Sequence, residues 1–249
     1  MKALMATEFL KLRTTRSMYV SLGVVLLFSV ALPIFRFMAA GSGDLGPVRA
    51  EDLAAILRTP VSLAGGAVLL IGLLAAAGEF RHHTVLTTRL AEPRSGRVLA
   101  AKLMTIGLLG LAVGVVFDLV TLAESAFLFN QEDVAFEPTQ HGVARVAVIA
   151  PLLLALHGLF GVAIGSLLRN TAAAVGATLV WAFIVEGFIP LATSSPGIVN
   201  WLPTGLVKEI MQAEASAGQL APLAAAGVLL GYGIALVGST VILDRRREL

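Results

Sequence analysis

Cysteine is absent from all 249 residues, which excludes disulfides, thiolate metal sites and a cysteine nucleophile. Charge is scarce too: 14% of residues are Asp, Glu, Lys or Arg, against about 25% in soluble domains. No Gly-Lys dipeptide occurs, so the phosphate-cradling GxxxxGK[ST] loop is missing and this chain is not itself a P-loop ATPase. HExxH and GxSxG are also missing, and the only histidines are His82, His83, His141 and His157. Metal-dependent or serine hydrolysis therefore has little to build on.

What is present is apolar: 57% of the chain is hydrophobic and the mean hydropathy is +0.88. Crossing a hydrocarbon core takes about 20 apolar residues per helix. Six runs qualify, at about 17–38, 60–77, 98–123, 145–168, 171–191 and 221–243. They are continuously apolar rather than alternating, so the expected fold is an all-α membrane protein with six transmembrane helices in a single domain over 1–249. The first run is too long for a signal-peptide core, so an uncleaved span is expected there.

Cations divide unevenly between the connecting segments. Thirteen fall in the N-terminus, the 78–102 loop, the turn at Arg169 and the tail; five, Arg36, Arg49, Arg58, Arg145 and Lys208, fall in the others. The positive-inside rule then makes both termini cytoplasmic, which an even span count also requires. Residues 1–16 suit an interfacial helix, with Met5, Phe9 and Leu12 on one face and Thr7, Lys11 and Thr14 roughly opposite. The outer segment 39–59, with Asp44, Pro47, Glu51 and Asp52, has no obvious core, and 130–144 reads as a solvated connector. Segment 192–220 holds Trp201, an interfacial anchor, and an amphipathic stretch from Leu206 to Ala217 that includes Glu214. It reads as short helices dipping toward the membrane, or as a plain surface loop.

Small residues recur at helix-packing spacing in Gly110 and Gly114, Gly161 and Gly165, and Gly227 and Gly231, where packing within the bundle is the expected use. Asp118, Glu124, His157 and Glu186 fall inside spans, where each ionisable group needs a partner, water or a proton. By helical rise, Asp118 and Glu186 stand about 24–25 Å beyond the basic segment ends. Asp118, His157 and Glu186 are candidates for lining a translocation path, the carboxylates in an outward-facing vestibule. Equally, they are paired or hydrated groups that hold helices together, and Arg145 or Arg36 is the expected partner of Glu124.

Four stretches carry a family likeness: EFLKLRTTRS at 8–17, GEFRHHT followed by EPRSGRVLAAK within 78–102, GSLLRNTAAAVG at 165–176, and NWLPTG at 200–205. In that order, the chain resembles the membrane permease subunits of six-span ABC exporters (the type-2 export class), particularly the short actinobacterial type. One departure is His83, where that family commonly has Gly before the loop threonine. The resemblance implies a bacterial cytoplasmic-membrane permease that pairs with a second permease copy, identical or related. ATP and magnesium would bind a separate ATP-binding cassette subunit under each copy, with no cofactor in this chain and no nucleic-acid partner. It also implies a cytosolic coupling helix formed and anchored by Glu79, Phe80, Arg81, Thr84, Pro93, Arg94 and Arg97. Trp201, Leu202 and Pro203 would open an external re-entrant helical hairpin at the outer gate. Glu79 would then stand near the start of the coupling helix, where the dipole favours an acid, and Pro93 would stop it. The implied cargo is amphipathic or lipid-like: a drug, antibiotic, peptide or lipid. The alternatives are a non-transporting membrane anchor or sensor, and an intramembrane hydrolase using His157.

Overall fold

A computed structural model describes residues 1–41, 47–82, 84–138, 142–192, 196–212 and 220–247. Asp44, His83, His141, Glu214 and the rest of 213–217 lie outside the described residues. The structure is 88% helical, with no strand among the described residues. Twelve α-helices follow in order: α1 Lys2–Thr14, α2 Arg16–Gly41, α3 Leu53–Arg58, α4 Val61–Arg81, α5 Thr84–Ala91, α6 Ser95–Gln131, α7 Val143–Leu168, α8 Thr171–Val180, α9 Ile189–Ala192, α10 Pro196–Val199, α11 Pro203–Met211 and α12 Pro222–Arg247. A 3-10 turn at Ala50–Asp52 leads into α3, and a π-helix at Trp181–Phe188 joins α8 to α9.

Six helical segments among the described residues are long and apolar enough to cross a membrane: Arg16–Ala39, Leu53–Arg81, Ser95–Gln131, Val143–Leu168, Thr171–Ala192 and Pro222–Asp244. The chain is thus a multi-pass helical membrane protein. Two expected boundaries move. Residues 53–58 are not loop: Leu53, Ala54, Ile56 and Leu57 are all buried. They form a short helix that runs into α4 through Thr59 and Pro60, and it was hidden because proline and the preceding acids read as a connector. The third span continues eight residues past 123 to Gln131, because Ser125 and Phe129 extend its buried face beyond Glu124. There Phe129 packs edge-on against Phe37 and Phe136.

The centre of the bundle is α7, clasped between α4 and α6. Glycines allow that closeness. A Cβ on Gly161 would stand 1.9 Å from the Leu69 carbonyl oxygen, and one on Gly114 would stand 2.4 Å from the Pro151 Cα. Two of the three expected glycine pairs therefore serve internal packing, whereas Gly227 and Gly231 of α12 face open space. Overpacking costs about 1–3 kcal/mol when side chains can adjust, and a backbone carbonyl cannot. Gly161→Leu should therefore part α4 from α7 and abolish monodisperse folded protein in size-exclusion chromatography, while Gly231→Leu should elute as the parent does.

The outer spans pack far less. The fifth, from α8 through α9, is almost bare, with Phe183, Phe188 and Leu191 exposed. Its π-helix ends just before Pro190, which cannot donate the α-helical hydrogen bond to the Glu186 carbonyl. The wider winding brings side chains five apart onto one side, and the Trp181 indole N–H donates to Glu186 Oε1 at 2.7 Å.

Candidate functional site

Several helix ends meet at the basic end of the bundle: α1, the C-termini of α4, α7 and α12, and the N-termini of α6 and α8. Three of them, α1, α4 and α6, are joined by a square of two lysines and two glutamates. Lys102 Nζ on α6 donates to Glu8 Oε2 of α1 at 2.6 Å and to Glu79 Oε1 of α4 at 2.9 Å, with the Ala75 carbonyl oxygen at 3.2 Å. Lys11 Nζ closes the square, 2.6 Å from Glu8 Oε1 and 2.7 Å from Glu79 Oε1. Glu8 and Lys102 are buried, whereas Lys11 reaches the surface.

Local structure explains why the charges gather. Glu79 stands in the last turn of α4 rather than at the start of the next helix, where it was expected, because that helix, α5, begins only at Thr84. A carboxylate at a helix C-terminus faces the negative end of the dipole, and both lysines offset that repulsion. On α1, Glu8 and Leu12 form the buried face and Phe9 is exposed. Of the expected Met5, Phe9, Leu12 stripe, Leu12 thus turns into the bundle, in one apolar cluster with Ile71, Ile106 and Val162, while Lys102 holds Glu8 inward beside it. Burial lowers the Lys11 pKa, but hydrogen bonds from its ammonium to Glu79 and Glu8 and their negative charge outweigh this and hold it above the usual lysine value. Its contribution is therefore complete at neutral pH and is lost only as pH rises through that elevated value.

α5 lies across this end. Its inner side, Val85 and Thr88, borders a cavity of about 60 Å³ shared with Ser95, Lys102, Ser166 and Thr240. Lys11 Nζ reaches Thr88 Oγ1 at 3.4 Å. The outer side carries Leu86, 63% exposed, and Leu90, 85% exposed, one turn apart. Pro93 ends the segment, and the Arg97 guanidinium pairs with Glu92 at 3.0 Å. Of the expected coupling residues, Arg81, Thr84, Pro93, Arg94 and Arg97 stand on the surface, whereas Glu79 and Phe80 turn inward.

Phe80 meets the turn between α7 and α8. Arg169 caps α7 in the left-handed conformation, φ 51°, with its guanidinium carbon 5.2 Å from the Phe80 ring centroid. The same guanidinium pairs with Asp244 of α12. Asn170 Oδ1 then accepts the Ala173 N–H at 3.0 Å and starts α8. Arg169→Gly keeps the turn but removes both contacts, a loss of about 1–2 kcal/mol. Thermal unfolding in detergent should show it, and Arg169→Lys should recover only part, lacking the flat guanidinium face.

No hydrogen bond or ion pair joins the candidate path residues among the described residues, although Glu186 lies within electrostatic reach of His157. Asp118 is 7% exposed, with Oδ2 unpartnered. Glu186 lies on the bare fifth span, bonded to Trp181. His157 packs its ring against Gly65, with Nδ1 2.7 Å from the Leu153 carbonyl oxygen. Among the described residues neither cation expected to partner Glu124 reaches it: Arg36 pairs with Asp52 at 3.4 Å, and Arg145 donates to the Ile210 carbonyl oxygen at 3.1 Å. Neither Glu124 carboxylate oxygen has a hydrogen-bond partner among the described residues.

At the opposite end, NWLPTG forms a compact corner. Trp201 is exposed and its carbonyl oxygen accepts the Tyr232 hydroxyl at 3.1 Å. Leu202 is buried, Pro203 opens α11, and a Cβ on Gly205 would meet the Val199 carbonyl oxygen at 2.2 Å. α11 buries Leu206, Val207, Ile210 and Met211 against α7 and α12, so the amphipathic stretch is a packed helix over its described part. No protein-family model matches this chain, and no curated protein matches it in sequence.

Proposed function

We propose that this chain is the membrane permease subunit of an ATP-driven exporter of the six-span ABC class. Two copies, identical or related, would pair in the bacterial cytoplasmic membrane with both termini cytoplasmic. They would move an amphipathic or lipid-like molecule outward while a separate ATP-binding cassette subunit hydrolyses ATP. The observation that carries this reading is α5: a short helix outside the spans that touches, through Thr88, the ionic square joining α1, α4 and α6, and whose outward face presents Leu86 and Leu90. A push on such a helix reaches the second and third spans together, because Glu79 and Lys102 tie their ends at 2.9 Å.

Chemistry within the chain supports an external energy source, since its sequence contains no phosphate-cradling loop. The weakly buried first, fifth and sixth spans, at 22%, 6% and 17%, leave faces free for a second permease copy and for cargo. The tight α10–α11 corner around Trp201, Leu202 and Pro203 fits a re-entrant external gate. A membrane anchor or sensor would share the topology but move no cargo when ATP is supplied. The test is reconstitution with the partner ATPase: ATP-dependent cargo movement supports the transporter, and ATPase binding without movement supports the anchor. An intramembrane hydrolase using His157 is disfavoured by the packing of that ring on Gly65. His157→Ala should leave transport in place and only loosen packing.

A further inference from the structure

We propose that the cleft between α1, α4 and the first residues of α2 and α8 binds an anionic phospholipid. The cleft measures about 430 Å³. Its floor is apolar, built from Leu12, Met18, Ile71 and Leu74, and its mouth carries Ser17, Arg81 and Thr171. The order along the chain matters. Ile71 and Leu74 lie two to three turns before Arg81 on α4, so the apolar floor extends toward the middle of the span and the polar mouth lies at its end. That gradient, hydrocarbon below and polar groups above, is the profile of one membrane leaflet.

Charge selects the ligand. Lys11, Glu8 and Glu79 also border the cleft, but together with Lys102 they form a balanced square of two cations and two anions. The sign of the mouth is therefore set by Arg81, which is exposed and makes no ion pair among the described residues, with the exposed His82 imidazole beside it adding no negative charge. Thr171 Oγ1 is buried beside the same cleft without a hydrogen-bond partner among the described residues, and a turn about χ1 to another staggered rotamer would let it donate to a phosphate oxygen. The first turns of α2 and α8 add their positive ends. A zwitterionic headgroup would bring its own cation against Arg81, so an anionic lipid fits and phosphatidylcholine does not. This inference needs only a chain that spans a bilayer and does not rest on the exporter reading.

The test uses the full chain purified in detergent, with phosphatidylglycerol, phosphatidylcholine or glycerol 3-phosphate added, read by native mass spectrometry and thermal unfolding. Phosphatidylglycerol should remain bound and raise the unfolding midpoint; the other two should do neither. Arg81→Gln should weaken phosphatidylglycerol binding about tenfold, the loss of one charge-assisted hydrogen bond. Leu74→Trp should block the cleft and remove the response with the charge intact. Arg246→Gln removes an exposed cation at the same end and should bind as the parent does. Equal stabilisation by phosphatidylcholine, an equal loss in Arg246→Gln, or a full response to glycerol 3-phosphate would each overturn the proposal. Should Leu74→Trp fail to fold, the exposed Arg81 and Arg246 variants decide the question by themselves.

Discussion

Lys102→Met should cost about 3–5 kcal/mol, the range for removing one partner from a buried ion pair. Stability in domains of this kind is only about 5–15 kcal/mol, so much of the variant should unfold or aggregate on extraction. Lys102 Nζ contacts both carboxylates and a carbonyl within 3.2 Å. Without it, two largely buried glutamates share the half-exposed Lys11. The size of the loss comes from those stranded charges rather than from the lost attraction. Removing one of them should therefore help: Lys102→Met with Glu8→Gln should be more stable than Lys102→Met alone, leaving the 2.7 Å Lys11–Glu79 pair. Melting Lys102→Met, Glu8→Gln and the double variant beside the parent gives the coupling energy directly. Independent, additive losses would mean that the four groups do not act as one cluster.

Leu86→Asp combined with Leu90→Asp should abolish ATP-dependent transport while leaving the permease folded. Both side chains project from α5 and bury little apolar area, so stability should change by no more than about 0.5 kcal/mol. In the complex, each leucine would sit in an apolar cleft of the ATPase, and burying a carboxylate there is unfavourable. Loss of two fully buried leucines is worth about 3–6 kcal/mol at an interface, a fall of roughly two to four orders of magnitude in affinity. Co-purification and transport should vanish together, with unchanged elution and melting of the permease alone. Deleting the loop would not be as clean, because Glu79 and Thr88 belong to the ionic square and its contacts.

The six spans were legible because twenty-residue apolar runs have few other uses, and the glycine pairs on α6 and α7 were legible by spacing. The stretch 165–176 has a physical account of its own: Gly165 admits α4, Arg169 takes the left-handed cap and grips Phe80 and Asp244, and Asn170 starts α8. The ionic square was hidden, since Glu8 and Lys102 are 94 residues apart and nothing local distinguishes Glu8 from any interfacial acid. Glu79 was expected at a helix start because the Gly78 to Arg81 stretch continues α4 without a sequence break. The π-helix left only an indirect trace, Pro190, whose usual reading is a kink. Glu124 was expected to find a cation because charges of both signs flank the outer segments. The structure instead commits Arg36 to Asp52 and Arg145 to a backbone carbonyl.

The most direct test of the central claim places a photo-crosslinking residue at Leu90 of the full chain in native membranes. The exporter account predicts one dominant adduct, to a P-loop ATPase, with a yield that changes when ATP is added and falls to background when the crosslinker is moved to Leu230, exposed in the sixth span. Contradiction would be the absence of any ATPase adduct at Leu90, together with transport that survives Leu86→Asp and Leu90→Asp.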